Sequence, residues 1–348
     1  MTTDLRRRNG GFTLVELMIA LVLGLIVVGG SLALFVTQRV TNRMSGQMSD
    51  VQAEGRIAMD GMARDIRAAG DFGCWPVANP IDGRLNQMVF DVTKGGIKAY
   101  LNGTTLPAAG AADAPYGLDV VRAANPDANS GVLVVTGING TLTRTSDDMA
   151  DGTVDVVVKT PLEPFKAHDI AVVTDCVNWA KFQVTDVLAG SADKVNLKHA
   201  GGALSGVWGQ GNQDGNIGAK FRKDSSVGRL DSVWWFIGTV NNQKGLYRLS
   251  ARDGAPALVS ARIYAMQLTY DLDTNDDAIA DDLDNKASDV GLTDWPKVRS
   301  VSLQMLVQSE KTADAGGKVS VTEFAGVTVP TDKYLYLPLQ MNVAVRNQ

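Results

Sequence analysis

Residues 11–36 read GFTLVELMIALVLGLIVVGGSLALFV, and this stretch decides the architecture of the chain. Its last 20 residues, 17–36, contain no charged side chain. At about 1.5 Å of rise per residue they form about 30 Å of helix, the thickness of a bilayer's hydrocarbon core. Arg6, Arg7 and Arg8 precede the run, and no second run of this length follows it. The sequence therefore predicts a single-pass segment with a cytoplasmic N-terminus and the remaining residues outside.

Glu16 stands just before the uncharged run, after Gly10, Gly11 and Phe12. An ordinary secretory signal has an apolar core of about 7–15 residues followed by a small-residue cleavage site, whereas here the glycines come first. A carboxylate inside a bilayer costs about 2.5–3.5 kcal/mol on insertion scales. We therefore expect Glu16 to have a partner of opposite charge.

This order of residues resembles the class III leader of type IV prepilins and type II secretion pseudopilins. The resemblance implies that a prepilin peptidase cuts between Gly11 and Phe12 and that the new amine is methylated. It also implies that Glu16 pairs with the N-terminal amine of a neighbouring subunit. The expected division of the chain is a cleaved leader at 1–11, an N-terminal helix at 12–70 with a transmembrane part at 17–36, and an extracytoplasmic β-rich domain at 71–348.

The helix is expected to continue beyond the apolar run as far as Ala69. Apolar residues recur there at steps of three, four or seven, which is one stripe of an amphipathic helix. No proline occurs before Pro76, and Gly70 is placed to cap the C-terminus. Each glycine within the helix weakens it by up to about 1 kcal/mol relative to alanine. These glycines are Gly24, Gly29, Gly30, Gly46, Gly55 and Gly61.

Residues 71–348 are predicted to form an antiparallel β-sheet domain, on which the second half of the helix packs. The fold class is therefore α+β, of the type IV pilin kind, with a long hydrophobic and amphipathic N-terminal helix. Short apolar runs between turn residues predict strands at 132–136, 154–159, 170–174, 233–240, 262–270, 298–308 and 339–345. Two Gly/Ala-rich stretches, 94–117 and 189–218, are predicted to be surface loops. The alternative for the helix is a membrane anchor with a stalk.

Cys74 and Cys176 are the two cysteines of the chain. An exported chain with two cysteines favours a disulfide, which would join the helix end to a strand edge. A bridge that closes about 100 residues stabilises by up to about 4–5 kcal/mol in the chain-entropy model. Two buried free thiols are the alternative.

Several further segments resemble PilW-type minor pilins. Each is a weak signal alone, but they follow a prepilin leader in the expected order. The segments are RDIRAAG at 64–70, FGC at 72–74, HDIAVVTDC at 168–176, FQVT at 182–185, LYRL at 246–249, Tyr270 and VRN at 345–347.

An acidic loop lies between Asp271 and Asp289, with eight Asp and one Lys and hence a local charge of −7. Alternating oxygen ligands resemble a Ca²⁺ loop, which makes Ca²⁺ a candidate cofactor. The candidate ligands are Asp273, Asn275, Asp277, Asp281 and Asp284. A second register uses Asp271, Asp273, Asn275 and Asp282. The alternative is a solvated hairpin loop rich in Asx turns, and no glycine stands where such calcium loops turn sharply.

Composition and motifs argue against an enzyme and against nucleic-acid binding. The net charge is −5, and no basic stripe follows the first residues. No G-x-S-x-G, Walker A, H-E-x-x-H or C-x-x-C motif occurs, and His168 and His199 are isolated in the sequence. The sequence at 234–236, Trp-Trp-Phe, is interpreted as core and edge packing on a strand.

The resemblance implies a minor pilin that helps to prime type IV pilus assembly and displays a tip adhesin, with roles in twitching motility and cell adhesion. The implied partners are other minor pilins and the major pilin through the N-terminal helix, the prepilin peptidase, a PilY-type tip adhesin and the inner membrane. The protein is expected in the inner membrane before assembly and on the pilus afterwards. The alternatives are a J-type pseudopilin of type II secretion and a membrane-anchored calcium-dependent adhesin or secreted enzyme.

Overall fold

The computed structural model describes residues 13–74, 79–81, 95–108, 117–191, 193–202, 211–310, 321–332 and 334–345 of the 348-residue chain. A long helix, α1 (Leu14–Ala68), leads into a β-rich part that also holds a short helix, α2 (Leu118–Ala123). No proline interrupts α1, and its 55 residues run without a break. The predicted helix is therefore present within the described residues, and Phe12 lies outside them.

The strands of the described residues share an extended backbone and antiparallel pairing, with one parallel exception. In chain order they are β1 (Asn79–Ile81), β2 (Ile97–Tyr100), β3 (Val132–Ile138), β4 (Thr143–Arg144), β5 (Val156–Lys159), β6 (Ile170–Thr174), β7 (Asn178–Gln183), β8 (Asp186–Ala189), β9 (Lys194–Lys198), β10 (Ser226–Val240), β11 (Gln243–Ser250), β12 (Ala257–Ser260), β13 (Ile263–Leu272), β14 (Asp282–Asn285), β15 (Val298–Gln308), β16 (Glu323–Phe324), β17 (Val327–Thr328) and β18 (Tyr336–Ala344).

The largest sheet is built around β10, which is 15 residues long. One side of β10 pairs first with β6 and then with β11, and the other side pairs with β4 and then with β3. Beyond these strands, β7 pairs with β6, β1 pairs with β7, β12 pairs with β11, and β2 pairs with β3. Most of β10 is buried, and its second half carries a continuous apolar run at 233–237, whereas Arg229, Asp231 and Ser232 in its first half are buried polar residues.

A second sheet has the order β14-β13-β15-β18, with all pairs antiparallel. Buried residues mostly alternate with partly exposed ones along β13, and partly buried residues alternate with exposed ones along most of β18, as expected for a sheet with one solvated face. Strands β5, β9 and β8 form a small third sheet, and β16 and β17 form a hairpin. The long helix contacts both larger sheets, through β3, β12, β15 and β18.

The main core is formed where the second half of α1 meets these two sheets. Val51, Ala58, Met62 and Ile66 of the helix have no solvent exposure. They belong to one cluster with side chains of β2, β3, β10, β11, β13, β15 and β18. The helix is thus an integral layer of the domain from about Val51 onward. The α+β architecture predicted from the sequence is confirmed.

All seven predicted strands coincide with or overlap observed ones, but the two predicted loops are partly wrong. The stretch 94–117 contains β2, and the stretch 189–218 contains β9. β2 is held by β3 beside the helix end, and β9 is held between β5 and β8. Their flanking Gly- and Ala-rich composition concealed strands whose stability comes from these pairings.

The aromatic cluster at 234–236 is buried on both faces of β10. Trp235 faces α1, and Trp234 and Phe236 pack in a separate core on the opposite face with Tyr247. The three side chains are at most 2% exposed. The predicted contribution to edge packing is therefore wrong, because β10 is the central strand of its sheet.

Candidate functional site: the N-terminal helix and its attachment

The first turn of α1 is closed by a reciprocal cap between Thr13 and Glu16. The backbone amide of Thr13 donates to Oε2 of Glu16 at 3.0 Å, and the backbone amide of Glu16 donates to the hydroxyl oxygen of Thr13 at 3.3 Å. This is a capping box, which satisfies amides that a helix start leaves unpaired. Gly11 and Phe12 lie outside the described residues, so the cleavage junction and the pairing of Glu16 with a neighbouring amine stay predictions.

The first half of α1 is exposed with respect to the described part of the β domain. Its large apolar side chains, from Leu14 to Val36, are 52–75% exposed. This helix is long and apolar enough to cross a membrane, judged by its length and composition. Apolar surface of this extent requires cover by lipid or by other apolar helices.

Arg39 marks the end of the apolar run. Its guanidinium lies 4.7 Å from the ring centroid of Phe35, one turn earlier, which is a cation–π distance. Long basic side chains at the end of an apolar helix extend toward the aqueous interface. The geometry is therefore consistent with a membrane boundary near Phe35.

The second half of α1 approaches the second sheet closely at Gly55. A Cβ atom at this position would lie 2.9 Å from Cγ2 of Val307 and would also contact the side chain of Leu339. At Gly61 a Cβ atom would lie 3.2 Å from the Trp235 ring, whereas at Gly46 it would meet nothing within 4 Å. The glycines of this helix thus have different roles, and Gly55 permits close packing against β15 and β18.

Asp65 joins the helix to the largest sheet. Its Oδ2 accepts hydrogen bonds from Nε1 of Trp235 and from Nε of Arg248, each at 2.8 Å. Nη2 of Arg248 adds a contact of 3.3 Å to Oδ1, so the ion pair has two points of attachment. Adjacent strands β10 and β11 carry the two donors, and sequence reasoning gave no sign that this carboxylate faced them.

Backbone hydrogen bonds join the residues that follow α1 to β3. The helix is capped at Ala69, whose amide donates to the Ile66 carbonyl, and not at Gly70 as predicted. Gly70 follows with φ +72°, a left-handed conformation suited to the residue after a helix. Its amide donates to the Thr136 carbonyl at 3.0 Å, and the Ile138 amide donates to the Asp71 carbonyl at 2.6 Å. A Cβ atom at Gly137 would lie 2.7 Å from the Ala68 carbonyl oxygen, so the approach of strand and helix requires glycine here.

Cys74 and Cys176 form a disulfide, as predicted, with 5.2 Å between their Cα atoms. The bridge joins the segment after α1 to the turn between β6 and β7. Nε1 of Trp179 donates to the Phe72 carbonyl at 3.1 Å, and the two rings pack edge to face. Covalent and polar contacts therefore hold the helix end on the sheet from two sides.

A buried carboxylate that sequence reasoning missed lies near the same helix end. Asp231 on β10 is 3% exposed and accepts hydrogen bonds from Ser250, Asn139 and the amide of Arg252. Burial raises the pKa of this carboxyl above its ordinary value, although these donors oppose the effect. Asp231 and Asp65 line one small cavity beneath Ala68.

The acidic loop is organised around Asp273, which has no solvent exposure. Its Oδ2 accepts from Nε and Nη2 of Arg299, at 3.1 and 2.8 Å, and from the Ala278 amide at 2.8 Å. Oδ1 accepts from the Asp277 amide at 3.1 Å. Desolvation raises the pKa of the Asp273 carboxyl, but these hydrogen bonds outweigh it, so the pKa is below its ordinary value.

The side chains of the other candidate calcium ligands form hydrogen bonds elsewhere in the loop and on β13. Asp281 bonds the hydroxyl and amide of Thr274, Asn275 donates to Asp277, and Asp284 lies next to Thr269. Across the described ranges no group of three or more Asp, Glu, His or Cys is placed to hold a metal ion. Calcium binding by this loop stays a prediction, and it would require Asp273 to exchange its contact with Arg299.

The two histidines lie apart from each other, and His199 has a packing role in the structure. Nε2 of His199 lies 2.8 Å from the Val154 carbonyl oxygen, and its ring packs edge to face on Phe182. His168 has φ +77°, and its carbonyl accepts from Gln183. Neither is placed against a nucleophile or a carboxylate in these contacts.

Two family models match the chain. The prokaryotic N-terminal methylation motif matches residues 6–32, and the type IV pilus-assembly protein W family matches residues 236–347. The first covers Gly11, Phe12 and Glu16, and the second covers the last five residues of β10 and the strands that follow it. Neither is an enzyme family.

Among solved structures, a type IV-like pilin from Thermus thermophilus is similar at 14% identity, with 51% of this chain and 84% of that chain covered. The TM-score is 0.23, at which the likeness carries no argument about the fold. No curated protein matches the chain significantly. By its methylation motif and its region similar to the pilus-assembly family, this chain is type IV pilin-like, and its N-terminal helix is long and apolar enough to cross a membrane.

Proposed function

We propose that this chain is a non-catalytic minor pilin of a type IV pilus, and that it helps to prime assembly with other minor pilins. It is inserted in the inner membrane with a cytoplasmic N-terminus, cleaved between Gly11 and Phe12, and extracted into the filament. The observation that carries the proposal is the division of α1 into an apolar first half, whose large side chains are exposed in the single chain, and a second half that is packed in the core of the domain.

The first half of α1 supports a role that alternates between lipid and protein surroundings. Burying a large aliphatic side chain is worth about 1.5–3 kcal/mol relative to leaving it in water. More than a dozen such side chains between Leu14 and Val36 lie exposed in the single chain. Lipid covers them before assembly, and the apolar helices of the major pilin and other minor pilins cover them in the filament.

The attachment of the second half of α1 supports a role in which the β domain moves together with the helix as one rigid body. The helix end is held at three separate points: the ion pair of Asp65, the disulfide, and the hydrogen bond from the Gly70 amide to β3. A subunit extracted by its helix therefore carries its β domain in a fixed orientation. Such a domain can present a tip adhesin of the PilY type on the surface remote from the helix.

The experiment compares processing and function in a deletion strain complemented with variants of the full chain. Gly11→Val changes the residue at the cleavage junction, and Gly10→Val changes its neighbour as a matched control. We expect Gly11→Val to accumulate as a precursor longer by the 11-residue leader and to restore neither piliation nor twitching. Gly10→Val should be processed and should restore both.

A clean deletion that leaves surface piliation and twitching intact would contradict the pilus assignment. Loss of protein secretion with normal piliation would instead favour the J-type pseudopilin, which shares the methylation motif. The match of residues 236–347 to the pilus-assembly family favours the pilus over the secretion system. Cross-linking of the full chain to other minor pilins and to the tip adhesin in cells identifies the neighbours directly.

Calcium binding belongs to the alternative of an anchored calcium-dependent adhesin. Titration of the full chain in detergent with Ca²⁺ tests it, and Asp281→Asn with Asp284→Asn removes two candidate ligands while leaving Asp273 on Arg299. If the wild type releases or absorbs heat on binding millimolar Ca²⁺ and the double variant does not, the calcium site is supported. Equal titration curves for the wild type and the double variant would contradict a calcium site at these residues.

A further inference from the structure

The strand β18 is nine residues long, and one of its two edges is unpaired in the described chain. It forms one edge of the second sheet, and no strand of the described chain pairs with its outer side. Its nine residues, YLPLQMNVA, include no charged side chain. Its register with β15 shifts nowhere, so there is no bulge. Long, flat, uncharged edges are templates for pairing with another chain, and proteins protect them with charges, bulges or prolines.

The hydrogen bonds at the two ends of β18 show which of its backbone groups face outward. The Val345 amide donates to the Arg299 carbonyl at 2.8 Å, and the Ser309 amide donates to the Leu335 carbonyl at 2.9 Å. Bonded pairs alternate with unbonded pairs in an antiparallel ladder. Because the register is continuous, odd-numbered residues of β18 bond to β15. Even-numbered residues direct their N–H and C=O groups to the open edge.

Pro338 is one of these even-numbered residues, and it is exposed. Proline has no N–H, and its ring occupies the space where an incoming carbonyl would approach. It costs the protein no bond to β15, because the missing donor faces away from that strand. We propose that Pro338 guards the open edge of β18 against pairing with a second copy of the chain.

The position of Pro338 limits self-pairing more than a proline at the strand end would. In an antiparallel pair centred on Gln340, Pro338 lies opposite Asn342 of the second copy and cannot donate a hydrogen bond to it. Twofold symmetry places the same missing hydrogen bond at the other Pro338. A pair centred on Asn342 avoids Pro338 but uses only the segment from Gln340 to Ala344. A residue with an N–H at 338 extends the pairing to the whole strand, from Tyr336 to Ala344.

The test measures self-association of the full chain in detergent, with two differently tagged copies and Pro338→Val. Two restored hydrogen bonds, each worth about 1 kcal/mol net, tighten association by roughly ten- to thirty-fold. Hydrogen exchange at the amides of Gln340, Asn342 and Ala344 reports the edge itself, because association through α1 does not touch them. We expect these amides to exchange more slowly in Pro338→Val than in the wild type.

Three variants separate the backbone donor from side-chain effects. Gln340→Val adds an exposed β-branched side chain without a new N–H and should behave as the wild type does. Pro338→Thr restores the N–H with a polar side chain and should behave as Pro338→Val does. Adding Asn342→Pro to Pro338→Val places a proline at another outward position and should return association to the wild-type level. Equal association of Pro338→Val, Pro338→Thr and wild type, or equal gains with Gln340→Val, would overturn the proposal.

Discussion

Gly55→Ala tests whether the second half of α1 is seated as closely on the second sheet as its contacts indicate. Helix propensity alone favours alanine over glycine by about 1 kcal/mol. The added methyl would lie 2.9 Å from Cγ2 of Val307 and would displace the side chain of Leu339. Overpacking of this kind costs about 1–3 kcal/mol. The net effect is therefore a loss of up to about 2 kcal/mol of stability.

Gly46→Ala is the matched control, because a Cβ atom at Gly46 meets nothing within 4 Å. Helix propensity is the one effect expected at Gly46, so Gly46→Ala should leave the free energy of unfolding unchanged or raise it by up to about 1 kcal/mol. The two substitutions should differ by about 1–3 kcal/mol, although both replace a helical glycine with alanine. The difference does not depend on the value chosen for the propensity.

The assay is urea unfolding of the full chain in detergent, followed by tryptophan fluorescence, since Trp234, Trp235 and Trp295 are buried in the domain. A double-mutant cycle with Leu339→Ala measures the contact directly. The cost of Gly55→Ala should shrink in the Leu339→Ala background, because the methyl then has room on that side. The reasoning fails if Gly55→Ala stabilises the protein as much as Gly46→Ala does, or if its cost is independent of residue 339.

Three further expectations follow from the attachment of the helix and of the acidic loop. Asp65→Asn weakens the bonds to Trp235 and Arg248 and should cost about 1–2 kcal/mol in urea unfolding, with Asp60→Asn, on the exposed face, close to neutral. Replacing Cys74 and Cys176 by alanine should cost about 4–5 kcal/mol in the chain-entropy model, because the bridge spans 102 residues; an unchanged urea midpoint would contradict this. The pKa of Asp273 is lowered in the folded chain, so its stabilisation is present above the ordinary carboxyl value of about 3.9 and is lost as the pH falls through the lower folded value. Asp273→Asn should therefore be less stable than the wild type at neutral pH, and the two unfolding curves should converge in acid.

The sequence by itself determined the features that depend on local composition. An uncharged run at 17–36, a stripe of apolar residues beyond it and the absence of proline together predict one continuous helix, and the structure has it from Leu14 to Ala68. Seven strands could be predicted because β-branched residues and turn residues alternate within short windows. The disulfide could be predicted from two cysteines and an export segment.

The tertiary structure decided the features that depend on residues far apart in the chain. Gly46 and Gly55 look alike in the sequence, but only Gly55 meets another element. Strands β2 and β9 exist because β3 and β5 pair with them, and their own composition indicates loops. Burial and strand pairing are properties of the whole packed chain, so a local pattern carries little information about them.

The candidate site divides along the same line. The N-terminal motif is a local sequence, and the family model finds it at residues 6–32. The bond between Asp65 and Arg248 joins residues 183 positions apart, and Arg299 reaches Asp273 from an adjacent strand. The sequence predicted ligands for calcium in the acidic loop, whereas the fold gives Asp273 an arginine and two backbone amides. Charge pattern depends on which residues are present, but the partner of each charge depends on which strands the fold brings side by side.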